Sequence, residues 1–384
     1  MFRLLAVCAV LAVASPAFAE EKDKPKPNTL TAKEIADGWI LLFDGETTFG
    51  WQLEPTTGGA KAEVAVKDSA LVIKGAGVTF WKTSYFKDFD VSAEYRVIGK
   101  PASICFGLFP NRNELNAEMG EELTQGERGS WCPLAVKFRR DGYEFTINGK
   151  EVKLNHKVTI HEHVRIGLHI TRTHGDTHVE IRNLKLRPHG ASPLFTGNNL
   201  DGWKVNAADP KRMASKWDVT KDGELSVKNG PGDLVTEKEF DNFVLQFECK
   251  TLGKALNSGV FFRCIPGQYQ NGYEAQIQNA FKDDDRTKPT DFGTGAIYRR
   301  VPARKVVSND NEWFTMTVVA DGKHISTWVN GYQTVDWTDD RKNSDNPRQG
   351  YRAAKGPLSI QGHDPTTDIL FRNIRIAELP EAKK

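Results

Sequence analysis

Glu274, Gln276 and Gln278 alternate along Tyr273-Glu274-Ala275-Gln276-Ile277-Gln278, and Arg263 follows Val260-Phe261-Phe262 shortly before them. Both stretches read as strands joined by a Gly-rich connection. Alternate side chains of a strand share a face. The three polar groups therefore point one way and Tyr273, Ala275 and Ile277 the other, while Arg263 shares its face with Phe261. Such a row is costly to bury dry, because each polar group needs a partner. It suits the floor of a wet cleft or a solvated outer face. Gly259, Gly267 and Gly272 imply close backbone approach and favour the cleft. Glu274 in that cleft is a candidate proton acceptor or donor, and Arg263 a candidate cation for an oxyanion or a carboxylate.

These residues belong to one of two similar halves. Trp39–Gly45 with Gly50-Trp51 returns as Pro193–Gly197 with Leu200–Trp203. Lys87–Glu94 returns as Phe240–Glu248. Asp141-Gly142 with Ile147-Asn148-Gly149 returns as Asp321-Gly322 with Val329-Asn330-Gly331, and Val179–Leu186 returns as Leu370–Ile376. The order is kept, which implies two copies of one domain, residues 30–188 and 193–380. Gly190, Ser192 and two prolines make a short joint near 188–193. Asp-Gly and Asn-Gly turns between alternating apolar residues mark hairpins at Phe138–Lys150 and Phe314–Thr334. Helical periodicity is confined to short turns at Lys33–Asp37 and Glu114–Gln125. Many short strands with Gly-rich turns predict an all-β fold, a sandwich or jelly roll in each half.

The chain has 384 residues, enough for two domains, and its 52 basic and 50 acidic residues carry no footprint for nucleic acid. Arg3, the apolar run Leu4–Ala14 and Ala17-Phe18-Ala19 read as a cleaved secretory signal over residues 1–19. A flexible leader, 20–29, follows. The run is too short to span a membrane, so the expectation is an exported protein, periplasmic or extracellular, with no membrane association after cleavage. Cys8 lies in the signal. The remaining Cys105, Cys132, Cys249 and Cys264 pair as Cys105–Cys132 and Cys249–Cys264 if they form disulfides, or stay as buried thiols. Asp283-Asp284-Asp285 lies among Lys282, Arg286 and Lys288 without EF-hand spacing, and reads as a solvated loop; no metal site is expected.

Ordered landmarks run through the second half: LFTG with Gly202-Trp203, Asn257-Ser258-Gly259 with Phe262-Arg263, Tyr273-Glu274-x-Gln276-Ile277, Thr294–Tyr298, Asn311-Glu312-Trp313, Asn330-Gly331, Gly356-Pro357-Leu358-x-Ile360-Gln361-Gly362-His363 and Phe371–Ile374. Together they resemble the domain-of-unknown-function 1080 family, described as 3-keto-disaccharide hydrolase or 3-keto-glucoside lyase and hydratase. The resemblance covers 193–379 and implies a concanavalin A-like jelly roll. Residues 38–187 keep the framework but lack the Tyr-Glu-x-Gln and Gln-Gly-His segments; Glu118 and His169 stand in other contexts. The first half is therefore expected to be a degenerate, non-catalytic copy.

The resemblance implies cleavage of 3-keto-glycosides or 3-keto-disaccharides by elimination across C1–C2, by hydration, or by both. A ketone at C3 acidifies the C2 proton. The reaction needs a base, donors for the enolate oxygen and an acid for the leaving group. Glu274, His363 and Arg263 are the catalytic candidates. Gln276, Gln361 and Asn257 suit sugar hydroxyls, and Tyr298 and Trp328 offer faces for stacking. Arg372 reads as a structural ion pair, because Arg182 occupies the same place in the first copy; Trp203 and Trp313 read as core. No cofactor is implied, and the expected partner is an oligosaccharide or glycoside. Two other functions remain open: a non-catalytic carbohydrate-binding or adhesion protein, and a glycosidase with two carboxylates, for which Gln276 stands where a second acid is wanted.

Overall fold

Apolar and polar residues alternating between turn-forming residues become antiparallel strands throughout. The computed structural model describes residues 26–55, 62–75, 78–100, 103–109, 120–122, 129–152, 164–172 and 177–380. The signal, Glu118 and most of Glu114–Gln125 lie outside them. The protein is an all-β chain of two jelly-roll sandwiches, each pairing an eight-stranded with a five-stranded sheet. The first half's large sheet runs Lys150–Glu151, Gly142–Ile147, Cys132–Arg139, Phe89–Ile98, His178–Pro188, Ala70–Gly75, Ala62–Lys67, with Ile40–Leu41 beside His178–Pro188. The second half's large sheet runs Tyr332–Thr338, His324–Val329, Phe314–Asp321, Phe243–Thr251, Asp368–Glu378, Leu225–Lys228, Lys216–Val219, with Ser192–Pro193 beside Asp368–Glu378. The two orders correspond strand for strand. The helical turn expected at Lys33–Asp37 is Ala32–Ala36, closed by a capping box in which Thr31 Oγ1 accepts from Glu34 N and the Glu34 carboxylate accepts from Thr31 N.

The small sheet of the second half positions the candidate residues. It runs Trp203–Val205, Gly232–Phe240, Gly356–Gly362, Ser258–Phe262, Tyr273–Ile277. Leu234, Ile360, Val260 and Ala275 point into the core between the sheets. Their neighbours in register therefore share the outer face: Asp233 opposite Gln361, Phe261 opposite Ser359 and Glu274, and Gly259 opposite Gln276.

The strands Phe243–Thr251, Phe314–Asp321 and His324–Val329 of the second half's large sheet are buried on both faces. Leu245, Val318 and Ile325 fill its own core, while Val244, Val319, Trp328, Ala377 and Leu379 join the core cluster of the first half. This buried apolar contact makes the first sandwich a second cover for the sheet.

Cys132, Cys249 and Cys264 are free and buried, so of the two alternatives these three follow the buried thiols and neither disulfide is formed. Cys249 belongs to the inter-sheet core. Cys264 lies past the end of the small-sheet strand, against Gly272, where an added Cβ would come within 2.7 Å of its Sγ.

Candidate active site

Glu274 stands on the outer face of the strand Tyr273–Ile277 because Ala275 and Tyr273 are drawn into the core. Diagonally across on the paired strand, Gly259 has no Cβ to obstruct it; a Cβ there would lie 2.6 Å from Glu274 Oε1 and 2.8 Å from Cγ. Glu274 is 8% exposed and faces a cavity of about 500 Å³ lined by residues between Arg212 and His363. Burial pushes it up to about 8; the Arg348 charge opposes that rise and Asp291 adds to it.

The cavity brings together Glu274, Gln276, Gln361, His363, Asn257 and Tyr298. Gln276 Nε2 donates to Asp291 O at 3.1 Å and to its Oδ2 at 3.2 Å, and Asn257 Nδ2 donates to the same Oδ2 at 2.6 Å. The amide oxygens of Gln276 and Gln361 are buried without a partner. His363 Nδ1 lies 2.7 Å from Asp364 Oδ2, which orients the ring. Tyr298 packs edge-on against Phe292 at 5.2 Å. Gln278 is tied into the neighbouring loop, donating to Ala255 O and accepting from Ala280 N.

Two candidates do not reach this cavity. Arg263 takes a left-handed φ of 49°, which breaks the strand alternation just past Phe262 and turns the side chain inward. Its guanidinium is fully buried and donates to Asp241 O, Gly322 O and Asn242 Oδ1 at 2.7–3.0 Å. It ties the small sheet to two turns of the large one and is no oxyanion donor. Trp328 is also fully buried. Its Nε1 donates to Leu41 O at 3.0 Å and its ring packs on Phe86, so the first sandwich covers the face on which a ligand was expected. Arg372 is the ion pair anticipated, its Nη2 2.7 Å from Glu248 Oε2 and its guanidinium over Trp313. Arg182 does the same with Glu94 and Trp131. Trp203 is core; Trp313 is half-buried beneath Arg372.

Sequence reasoning missed Arg212, Arg299, Arg300 and Arg348, which also line the cavity. They come from three separate loops, and only Arg299-Arg300, directly after the Thr294–Tyr298 landmark, carried a signal. It also missed Asp233. Opposite Gln361, with Oδ2 accepting from Gln270 N at 2.9 Å and Oδ1 unpartnered, Asp233 is pushed up to about 6 by burial.

The comparisons support a carbohydrate-active, glycoside hydrolase-like protein. Residues 190–377, the second sandwich, match the model of the 3-keto-alpha-glucoside-1,2-lyase-like domain. A solved structure of a candidate glycosyl hydrolase from Parabacteroides distasonis is 23% identical over 50% of this chain and 94% of its own, with a TM-score of 0.41. A second such structure from that organism is 28% identical over 50% of this chain and 100% of its own, with a TM-score of 0.39. The carbohydrate-binding module CBM66 from Bacillus subtilis is 15% identical over 47% of this chain and 97% of its own, with a TM-score of 0.31. No curated protein matches the chain significantly.

Proposed function

We propose that this protein is an exported enzyme that cleaves 3-keto-glycosides in its second sandwich by elimination across C1–C2, with water then adding to the enone. The observation that carries the reading is one buried carboxyl, Glu274, on the floor of a polar cavity beside His363 and two amide oxygens without partners. A carboxylate whose proton affinity is raised toward neutral pH is a better base for a carbon acid. Glu274 takes the C2 proton, the C–H pair becomes the C1=C2 double bond, and the C1–O bond breaks. The leaving oxygen departs with the C1–O bonding pair and takes a proton from His363 or water. Arg348, the charge that Glu274 feels most, takes the place first given to Arg263 opposite the enolate oxygen. Unpartnered acceptors on Gln276 and Gln361 favour a ligand rich in hydroxyls. Export rests on the signal-like N-terminus.

Against a two-carboxylate glycosidase, Glu274 is the one carboxylate among the described residues lining the cavity. The purified protein should release aglycone from 4-nitrophenyl 3-keto-glucoside and leave the native glucoside intact. Glu274→Gln should lower turnover about 100-fold or more, the scale of a lost general base. Cleavage of the native glucoside would favour the glycosidase; binding of either sugar without cleavage would favour a carbohydrate-binding module.

A further inference from the structure

We infer that the substrate carries an anionic group, a carboxylate or a sulfate, bound by an arginine cluster at the mouth of this cavity. The inference rests on the elimination reading for the sugar and on the rim of the cavity for the charge. Arg212, Arg299, Arg300 and Arg348 line the cavity, against Glu274 as its one lining carboxylate. They converge from far apart in the chain: Arg212 ends the short 3-10 turn Pro210–Arg212, Arg299 and Arg300 sit in the turn closed by Ile297 and Val301, and Arg348 follows the Ser344–Asn346 turn.

Their partners leave the charge unspent. Arg300 donates to Pro347 O and Arg348 O, and Arg348 to Gln270 O; both bind neutral carbonyls. Of these four arginines only Arg212 has an ion pair to another described residue, with Asp209 at 3.3 Å, while it also stacks on Tyr269 at 4.2 Å. Arg299 is exposed, with its guanidinium over Tyr298 at 5.3 Å. Its φ of 57° is one that glycine or asparagine adopts at less cost. A long cation held in that conformation on a cavity rim points to use of the side chain. Like charges gathered around a low-dielectric cleft focus the field and favour an anion there, and planar guanidinium groups match the paired oxygens of a carboxylate or sulfate. A neutral glycoside leaves this cluster unsatisfied.

The test compares three substrates sharing a 4-nitrophenyl aglycone: 3-keto-glucoside, 3-keto-glucuronide and 6-sulfated 3-keto-glucoside. In low salt, kcat/KM for at least one anionic substrate should exceed the neutral one by about 10-fold or more, the scale of one charge-assisted pair. Whichever anion leads identifies the group. The gap should shrink in 0.5 M NaCl through screening, fall in Arg299→Gln with Arg212→Gln, and return in large part in Arg299→Lys. Equal or faster turnover of the neutral substrate would overturn the inference and leave the elimination reading intact. If no keto-glycoside turns over, calorimetry with glucuronate and glucose 6-sulfate decides. Binding lost in the double variant sustains the anion site while the elimination reading falls; the absence of binding overturns the anion site.

Discussion

Glu274 occupies a burial usually reserved for apolar side chains, and its chemistry follows from that. As base it must be ionised, so kcat/KM should climb with pH and level off above about 8. A flat profile between pH 6 and 9 would remove Glu274 from the proton transfer. Stability carries the opposite sign. The folded carboxyl holds its proton up to about 8 and the unfolded one loses it near 4.5, so the native state binds more protons between those values and loses stability as pH rises through them. Although alternation suggested a wet group, this one is buried. Glu274→Gln should therefore melt higher than the parent, by roughly 2–4 °C at pH 9 and by less at pH 5, the scale of about 1 kcal/mol in a domain of this size. Arg263 reverses the expectation. With three buried donors satisfied by turn acceptors, Arg263→Met should cost about 3 kcal/mol in urea unfolding. Parent-like stability combined with lost turnover would return Arg263 to the site.

At the scale of strands, the period of two was enough to place Glu274, Gln276 and Gln361 around one cavity, because each strand has an unbroken apolar face to fix its orientation. The same period failed one residue past a strand end, where the left-handed φ of Arg263 turns the side chain over and leaves no mark in composition. The arginines of the rim were illegible for a related reason: loops carry no period, and only the folded sheet brings residues 212, 299 and 348 to one edge. The strand Ser258–Phe262 supports the site by what it omits. Gly259→Ala would drive a methyl into the Glu274 carboxyl while leaving the ladder with Gln276 in place. Turnover should fall about 10- to 100-fold, as expected for a base displaced by up to 1 Å, with little change in melting temperature. Undiminished kcat in that variant would show that the carboxyl position is not critical.

For the whole molecule, the outer face of the second sandwich's large sheet around His324–Val329 is an interior surface, and this accounts for the misreading of Trp328. His324, Ser326 and Trp328 alternate as an exposed strand face would, but that pattern cannot reveal a second sandwich lying over it. There Ser84 Oγ donates to Ser326 Oγ at 3.0 Å, Thr83 Oγ1 to Asp336 Oδ1 at 2.6 Å, and the buried Lys82 Nζ to Phe49 O at 3.2 Å and to Gln333 Oε1. The described lining residues of the cavity all come from 212–363, so in the proposed reaction the first half acts by covering this sheet and not by lining the cavity. Trp328→Ala should accordingly remove about 3–5 kcal/mol, the cost of emptying a large aromatic site in a core. The melting temperature should fall and the joint near residue 190 should become easier to nick with protease, while kcat of the folded fraction stays within about 2-fold of the parent, as for independent distant sites. A variant that melts normally but loses turnover on the keto-glycoside would place Trp328 in the catalytic site after all and the first sandwich near the substrate.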